Sequence, residues 1–506
     1  MHPQKATGMD TISPKFLRDS ADIISPFVTH IVNLSITSGI VPDDFKIAKV
    51  TPLYKKNDKL DVGNYRPVSV LSAVSKVLEK AVYVQTQKYL QEKDLIFKNQ
   101  SGFRPGHSTE TSLLHLTDYI KQQTAKELYT GMLLLDVQKA FDSVNHSILC
   151  KKLYAMGIDP SWFTSYLSSR KQTVNINGIS SEFLDLSCGV PQGSLLGPLL
   201  YLCYSNDMEI SVKCKLLLYA DDSVLVVSGK DPNTISKILG AELASCNQWL
   251  IDNNLSLHVG KTECIIFGSK RKLNKVSEFS VEYGNAKISS QKCVRYLGVT
   301  IDQCLSGDAM ATSIISKTIG KLKFLYRYKG ILSQTLRKKL STALLQCHLD
   351  YCATAWYPSL SIKMKRKMQI TQNKIVRYIL NRGPREHIGQ VELNTLGFLN
   401  VHDRVQQLRL NQVYKVCHKT SPGYLTSGFE LLANTHSLRT RASAKNFFVP
   451  QLKGAESETF YARGINDWNN LPEHVKSITN YIRFKREAKK FLVKKATNKE
   501  LSVFTK

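Results

Sequence analysis

Two adjacent carboxylates lie between two apolar, strand-like runs near residue 220, and this pattern constrains the fold more than any other in the chain. The segment reads Lys215-Leu-Leu-Leu-Tyr219-Ala-Asp221-Asp222-Ser-Val-Leu-Val-Val227. Two acids at a strand junction repel each other and lose hydration, so a divalent cation or a hydrogen-bond network must compensate. The pattern predicts an active-site hairpin and not a core strand, with a metal ion as the simplest compensation for the two acids.

A third carboxylate, Asp136, ends an upstream apolar strand that begins at Gly131. The apolar residues from Lys139 to Met156 have helical spacing, which predicts a helix directly after this acid. If the two strands are neighbours in one sheet, Asp136 and Asp221 converge and would hold two Mg2+ ions about 3.5 to 4 Å apart, as in two-metal phosphoryl transfer. The alternative is a solvated turn and a helix-capping acid.

Seven sequence blocks, two of which contain these acids, lie in a fixed order along the chain. They are Asn64–Ser69, Asn99–Thr109, Asp136–Asp142, Ser165–Arg170 with Gly189–Pro198, Tyr219–Asp222, Leu255–Thr262 and Tyr296–Val299. In this order they resemble the reverse transcriptases of non-LTR (LINE-type) retrotransposons, most closely the jockey-like group. The resemblance runs through most of the chain. It implies an α+β, right-hand polymerase with fingers, a palm built on an antiparallel sheet and a helical thumb, followed by a basic, mostly helical C-terminal region.

The resemblance also implies a role for individual residues. Asp136, Asp221 and Asp222 would be catalytic and, together with Val137, would bind the two Mg2+ ions. Lys261 is similar to the lysine that protonates departing pyrophosphate, and its ammonium group would stabilise a polyphosphate in any case. The substrate-binding residues would be Arg104, Phe141, Gln192, Gly193 and Tyr219.

Three of these substrate-binding residues have a physical rationale of their own. Phe141 is similar to the aromatic gate that excludes a 2'-hydroxyl, although a core Phe on an amphipathic helix is the alternative. Arg104 has a guanidinium that would bind phosphate oxygens in a bidentate way, and an ordinary surface arginine is the alternative. Gln192 lies in Gly189–Pro198, whose glycines let the backbone approach a templating base and a nucleotide closely.

Positive charge is concentrated in the C-terminal part of the chain. The net charge is +28, and residues 311–506 hold 35 Lys and Arg against 11 Asp and Glu. A charge this one-sided predicts salt-sensitive binding of phosphate backbones, and a tail that merely aids solubility is the alternative. The expected partners are an RNA template, a DNA primer and their RNA/DNA hybrid, with dNTPs as substrates.

We divide the chain into an N-terminal extension (1–35), fingers and palm (36–301), a thumb (302–385) and a basic C-terminal region (386–506). A predicted thumb helix from Ile362 to Leu380 would lie along an A-form-like hybrid. RNA binding by the C-terminal region, which includes Arg439-Thr-Arg441, is a hypothesis motivated by charge. The cations of the thumb helix are Lys363, Lys365, Arg366, Lys367, Lys374 and Arg377.

The cysteines, and the absence of targeting motifs from the sequence, suggest the cellular compartment of the protein. Its eleven cysteines include no C-x2-C pair, which indicates reduced thiols in the nucleus or cytoplasm. No stretch resembles a signal peptide or a membrane span. Lys5–Asp10 resembles the junction just ahead of the fingers, so the family's endonuclease would be absent from this chain. The chain would then be a genomic remnant, the product of an incomplete gene model, or a piece that works with an endonuclease in trans.

Two other functions stay open for this sequence. The first is a catalytically inactive, nucleic-acid-binding retrotransposon relic. The second is a group II intron maturase, which the lack of a recognisable zinc-bearing endonuclease module weakens. The sequence also departs from many relatives at His258, where they carry Asn.

Overall fold

The structure is a computed structural model that describes residues 3–435, 445–452 and 454–504. The basic segment Arg439-Thr-Arg441 lies outside these residues. The described strands are β1 (Ile47–Tyr54), β2 (Tyr65–Val70), β3 (Tyr129–Leu135), β4 (Arg170–Ile176), β5 (Ile179–Ser180), β6 (Leu184–Leu186), β7 (Lys215–Tyr219), β8 (Asp222–Gly229), β9 (Glu263–Phe267), β10 (Ser280–Tyr283), β11 (Ala286–Ser289), β12 (Cys293–Tyr296) and β13 (Val299–Asp302).

Helices make up most of the remaining structure. They are α1 (Pro14–Asp19), α2 (Ala21–Ser38), α3 (Ser75–Glu92), α4 (Thr109–Ala125), α5 (His146–Ala155), α6 (Ser161–Leu167), α7 (Gly197–Ser205), α8 (Pro232–Asp252), α9 (Lys270–Leu273), α10 (Asp308–Tyr326), α11 (Gln334–Ser341), α12 (Cys347–Asp350), α13 (Ala353–Trp356), α14 (Ile362–Leu380), α15 (Gln390–Thr395), α16 (Val401–Cys417), α17 (Gly423–Thr426), α18 (Leu432–Thr435), α19 (Phe460–Asn469), α20 (Glu473–Lys476) and α21 (Tyr481–Phe504). The predicted α+β class with antiparallel strand pairs is confirmed.

One sheet has the strand order β2-β1-β4-β5, with β6 paired to β4. In it β1 runs antiparallel to β2 and parallel to β4. The turn between β4 and β5 contains Asn177 and Gly178, both with positive φ, as the Asn-Gly pair predicts. Lys46, just before β1, is buried and forms a 3.0 Å ion pair with Asp43.

The strands that carry the predicted acids belong to a second sheet, with the order β7-β8-β3-β9. Six of the seven residues of β3 are buried, which explains why its sequence is almost continuously apolar. β3 and β8 are adjacent, as the convergence of Asp136 with Asp221 requires.

The predicted helix from Lys139 to Met156 is wrong in its first half. The structure has turns after Asp136, and α5 begins only at His146. Lys139 has a φ of +43°, which no helix residue adopts, and the main-chain oxygens of Phe141 and Val144 accept hydrogen bonds from outside the segment. Asn145 then caps α5 by accepting from the N–H of Ile148 at 3.1 Å.

The chain folds into two compact units, each built from several stretches of sequence. The first comprises Met1–Phe103, Leu135–Val224 and Ala241–Thr262, and the second comprises Arg104–Leu134, Leu225–Gly240 and Glu263–Lys506. The four regions expected from the sequence run consecutively along the chain, and their boundaries stay a prediction.

Within the second unit, α4 is bound by residues from the far end of the chain. The carboxylate of Asp118 accepts from the N–H groups of Phe460 and Tyr461, at 2.9 and 3.2 Å. The ammonium group of Lys121 donates to the main-chain oxygen of Glu458 at 2.9 Å. Burial raises the pKa of Asp118 to about 6. These bonds are made by buried groups, so α4 needs its C-terminal partners.

The predicted thumb helix matches α14 at both ends, and its cations divide into two groups. Met368, Ile375 and Ile379 are buried on its inner face. Lys365 and Arg377 donate to the main-chain oxygens of Pro358 and Glu386, at 2.9 and 2.7 Å. The cations left exposed for a phosphate backbone are Lys363, Arg366, Lys367 and Lys374.

No helix among the described residues is long and apolar enough to cross a membrane. All eleven cysteines are free thiols.

Gly131 lets α8 pack directly on β3, which leads to a stability prediction. A Cβ at Gly131 would lie 2.5 Å from Cγ2 of Ile235 and 2.8 Å from Cδ1 of Leu239. Overpacking of this kind lowers stability, so we expect Gly131→Ala to lower the free energy of unfolding by about 1–3 kcal/mol in urea denaturation.

The matched control is Gly320→Ala, in the exposed interior of α10, where a Cβ meets nothing within 4 Å. Relief of glycine's conformational entropy should raise the free energy of unfolding there by about 0.5–1 kcal/mol. Equal effects of the two substitutions would contradict the packing described for β3.

Candidate active site

The hairpin of β7 and β8 presents two carboxylates at its turn. Ala220, between the strands, has a φ of +57°, a left-handed conformation that permits a tight turn. Asp221 follows in the turn, and Asp222 is the first residue of β8. Both acids are partly exposed and partly desolvated, whereas the strands behind them are buried. The predicted hairpin is present at the predicted residues.

Asp136 is fixed in place by its main chain. It follows β3, and its main-chain oxygen accepts from the N–H of His258 at 2.8 Å. The next residue, Val137, pairs with Leu257 in an antiparallel bridge. The bond to Asp136 uses only the main chain of His258, so the departure from the family's Asn at this position leaves it intact.

The three carboxylates interact electrostatically. Partial burial, then the negative charges of Asp221 and Asp136, raise the pKa of Asp222 to about 6. Burial and, to a lesser extent, Asp136 raise the pKa of Asp221 as well. Both shifts show carboxylates held where like charge and lost hydration oppose ionisation. A cation bound among them would offset both effects.

The donor atoms of this site fit Mg2+, which prefers oxygen ligands. Asp136, Asp221 and Asp222 would supply carboxylate oxygens, and Val137 offers a main-chain oxygen as its only donor of this kind. Among the described residues no three acidic, histidine or cysteine side chains are gathered closely enough to form a metal site.

Lys261 lies beside the acidic residues. It ends a short turn of helix at Val259–Lys261, and its Nζ is 3.8 Å from Oδ2 of Asp136. Both side chains are about half exposed, so the pair contributes little to stability, about 0–1 kcal/mol. The ammonium group therefore remains available to an anionic substrate at the site.

Phe141 is held between two other aromatic rings. Its ring stacks on that of Tyr201, with centroids 4.6 Å apart and an interplanar angle of 23°. The ring of Phe103 meets it edge-on at 6.1 Å. Burial, followed by the charge of Asp221, raises the pKa of Tyr201, so the phenol lies within the electrostatic field of the acids. The aromatic group and the acidic group are therefore neighbours.

The segment Gly189–Pro198 is anchored at Gln192 and Gly193. The amide Nε2 of Gln192 donates to Oδ1 of Asp142 at 2.9 Å, which leaves the amide oxygen as the acceptor for a ligand. Gly193 has a φ of +126°, and a Cβ there would lie 2.4 Å from the main-chain oxygen of Ser69. Close packing on β2 thus requires this glycine, and its predicted contact with substrate stays a prediction.

The buried carboxylate of Glu79 stabilises the Gly189–Pro198 segment through a hydrogen bond. Glu79 of α3 accepts from the N–H of Leu195 and from the hydroxyl of Tyr166, both at 2.7 Å. The guanidinium of Arg170, itself 1% exposed, lies 4.8 Å from the ring centroid of Tyr166. Burial raises the pKa of Glu79, and these bonds together with Arg170 and Lys76 oppose that shift.

Two cations near the acids were missing from the residues expected from sequence. Lys55, just after β1, and Arg66 of β2 both lower the pKa of Asp221 by their charge. Arg66 lies inside the Asn64–Ser69 block, and that block was a sequence signal for its importance. The spacing of Lys55 and Arg66 from other residues does not predict where either side chain points. Arg104 is half-buried and belongs to the second unit, and Tyr219 ends β7, so their roles stay predictions.

Acids at the ends of adjacent strands, cations close to them and an aromatic-lined segment make up the candidate active site. Residues 54–301 match the family model described as reverse transcriptase (RNA-dependent DNA polymerase). Over this range, just under half of the chain, the sequence is similar to the reverse transcriptase family.

Curated relatives confirm the resemblance to non-LTR elements. A probable RNA-directed DNA polymerase from transposon X-element of Drosophila melanogaster is 26% identical over 389 residues, covering 74% of this chain and 42% of its own. An RNA-directed DNA polymerase from mobile element jockey of Drosophila funebris is 27% identical over 395 residues, covering 75% and 42%. The chain thus spans less than half the length of these relatives.

A solved structure, apo telomerase from Candida Tropicalis truncated from C-terminal domain, covers 55% of this chain and 59% of its own at 14% identity and a TM-score of 0.35. A score this low does not define a common fold.

The buried carboxylate of Glu79 leads to a prediction for the Gly189–Pro198 segment. Glu79→Ala leaves the N–H of Leu195 and the hydroxyl of Tyr166 without their acceptor, so we expect a loss of about 1–3 kcal/mol in the free energy of unfolding for each unpaired donor. We also expect faster hydrogen exchange at the Leu195 amide. Glu79→Gln keeps one acceptor and should lose less, and equal losses would contradict this account.

Proposed function

We propose that the protein is an RNA-directed DNA polymerase that extends a primer 3'-hydroxyl with dNTPs on an RNA template. The observation that carries this proposal is the electrostatic interaction of Asp136, Asp221 and Asp222 at the ends of adjacent strands, with Lys261 3.8 Å from Asp136, inside the matched reverse transcriptase range. A relic that only binds nucleic acid would need none of these four residues.

Bound Mg2+ would supply charge neutralisation and activation of the attacking hydroxyl, with Asp136, Val137, Asp221 and Asp222 as its ligands. The chain's own residues account for the rest of the proposal. Lys261 would donate a proton to departing pyrophosphate, and Lys55 and Arg66 would attract the triphosphate electrostatically. Arg104 remains a proposed triphosphate contact.

We infer a right-hand polymerase arrangement from the two larger sheets and the helices that follow them. The sheet of β1, β2 and β4 would form the fingers, the sheet that carries the acids would form the palm, and α10, α11 and α14 would form the thumb. The exposed cations of α14 support binding of an RNA/DNA hybrid.

By the resemblance, an endonuclease acting in trans is a further proposed partner. The free cysteines support a reducing, nuclear or cytoplasmic setting.

Asp221→Asn tests the proposed chemistry. Loss of one metal-binding charge should lower Mg2+-dependent extension of a DNA primer on an RNA template by at least about 100-fold. Binding of the hybrid, measured by fluorescence anisotropy, should be retained because the phosphate-binding cations are unchanged.

Asp252→Asn is the matched control, since it makes the same change at an exposed carboxylate that ends α8. We expect wild-type extension from this variant. Hybrid binding without any extension by the wild-type protein would overturn the polymerase proposal in favour of an inactive relic.

Phe141→Val tests the proposed sugar gate. Loss of the ring should open space for a 2'-hydroxyl, so the preference for dNTPs over rNTPs, measured as the ratio of kcat/KM values, should fall about 10-fold or more. Tyr201→Phe keeps the stacked ring and should leave that ratio unchanged. If Phe141→Val slows both nucleotide types equally, Phe141 is a core residue and not a gate.

A further inference from the structure

Gln100 is a buried polar residue that the proposed chemistry does not use. Its side chain is only 2% exposed, yet its amide contacts the turn of the hairpin that bears the acids. The amide oxygen accepts from the N–H of Gly102 at 2.8 Å and from the N–H of Ala220 at 3.0 Å. The amide nitrogen lies 3.5 Å from the main-chain oxygen of Ala220. One side chain thus reaches both polar main-chain groups of Ala220.

Ala220 is the residue of this turn that most needs external support. Its φ of +57° is unfavourable for any residue with a Cβ, and such conformations persist where the surroundings hold them. Ala220 directly precedes Asp221, so a change in its backbone angles would redirect both acids that follow. The bonds from Gln100 are made at the one position from which the direction of these carboxylates is set.

Neighbouring main-chain bonds hold Gln100 in register with the hairpin. Leu218 of β7 donates its N–H to Asn99 at 3.1 Å and accepts from the N–H of Ser101 at 2.8 Å. Gly102 then approaches the turn so closely that a Cβ on it would lie 2.2 Å from the nitrogen of Ala220. A residue other than glycine at position 102 would push the segment off the hairpin.

We propose that Gln100 is a positioning residue for metal binding, which acts by fixing Ala220 so that Asp221 and Asp222 stay directed towards Asp136. The expected effect of Gln100 on catalysis rests on the proposed function. The structural part of the inference, the hold on Ala220, does not depend on that function. The next residues extend the same support, since Phe103 packs edge-on against Phe141.

Gln100→Met tests the proposal by removing the acceptor while keeping the length of the side chain. Binding of Mn2+ alone, followed by electron paramagnetic resonance of the free ion, should weaken at least about tenfold. The single-turnover rate of primer extension should fall about 10- to 100-fold, as expected for displaced catalytic groups. Binding of the RNA/DNA hybrid should not change.

Gln372→Met is the matched control, because it removes another buried amide, one that donates to Leu399 at 2.9 Å in α14. It should lower the thermal midpoint about as much as Gln100→Met while leaving Mn2+ binding intact. Wild-type Mn2+ binding by Gln100→Met would overturn the proposal. So would a loss of hybrid binding parallel to the loss of Mn2+ binding, since that pattern indicates general unfolding.

Gln100→Glu separates the hydrogen bonds from other effects of the substitution. A carboxyl oxygen still accepts from two N–H groups, so hydrogen exchange of the Ala220 amide should stay slow in Gln100→Glu and become fast in Gln100→Met. Equal exchange in both variants would show that the acceptor does not hold the turn. If the wild-type protein extends no primer, the Mn2+ and exchange measurements still decide the structural part.

Discussion

Repulsion among Asp136, Asp221 and Asp222 is the interaction on which the rest of the site depends. The charges oppose one another, so each acid has to be held by something other than its side chain. The main chain of His258 holds Asp136, and the left-handed Ala220 fixes the start of the acidic pair. The buried strands behind them supply the rigidity that these exposed acids lack.

The aromatic residues and the glycine-rich segment of the site interact with acidic residues. Tyr201 carries the stacked ring of Phe141 and also lies in the field of Asp221, so one helix, α7, interacts with both the acids and the proposed gate. The bond from Gln192 to Asp142 uses one of the two N–H groups of the Gln192 amide. A nucleotide here would meet the amide oxygen as an acceptor and the second N–H as a donor.

Local patterns in the sequence predicted several helices and strands correctly. The features that the sequence did not predict depend on contacts between distant residues. The hairpin, the strand before Asp136 and α14 were predictable because apolar spacing reports burial directly. The helix expected after Lys139 failed because periodicity does not reveal a positive φ or main-chain bonds to Gly189 and Val190. The bond from Gln100 to Ala220 spans 120 positions, and no local pattern encodes it.

The attachment of α4 to residues 458–461 has a consequence for shortened forms of this chain. A premature stop between residues 262 and 458 would leave Asp118 and Lys121 without these partners, although the translated chain would contain all three acids and Lys261. A fragment that retains every residue of the acidic site is therefore not by that fact a stably folded protein.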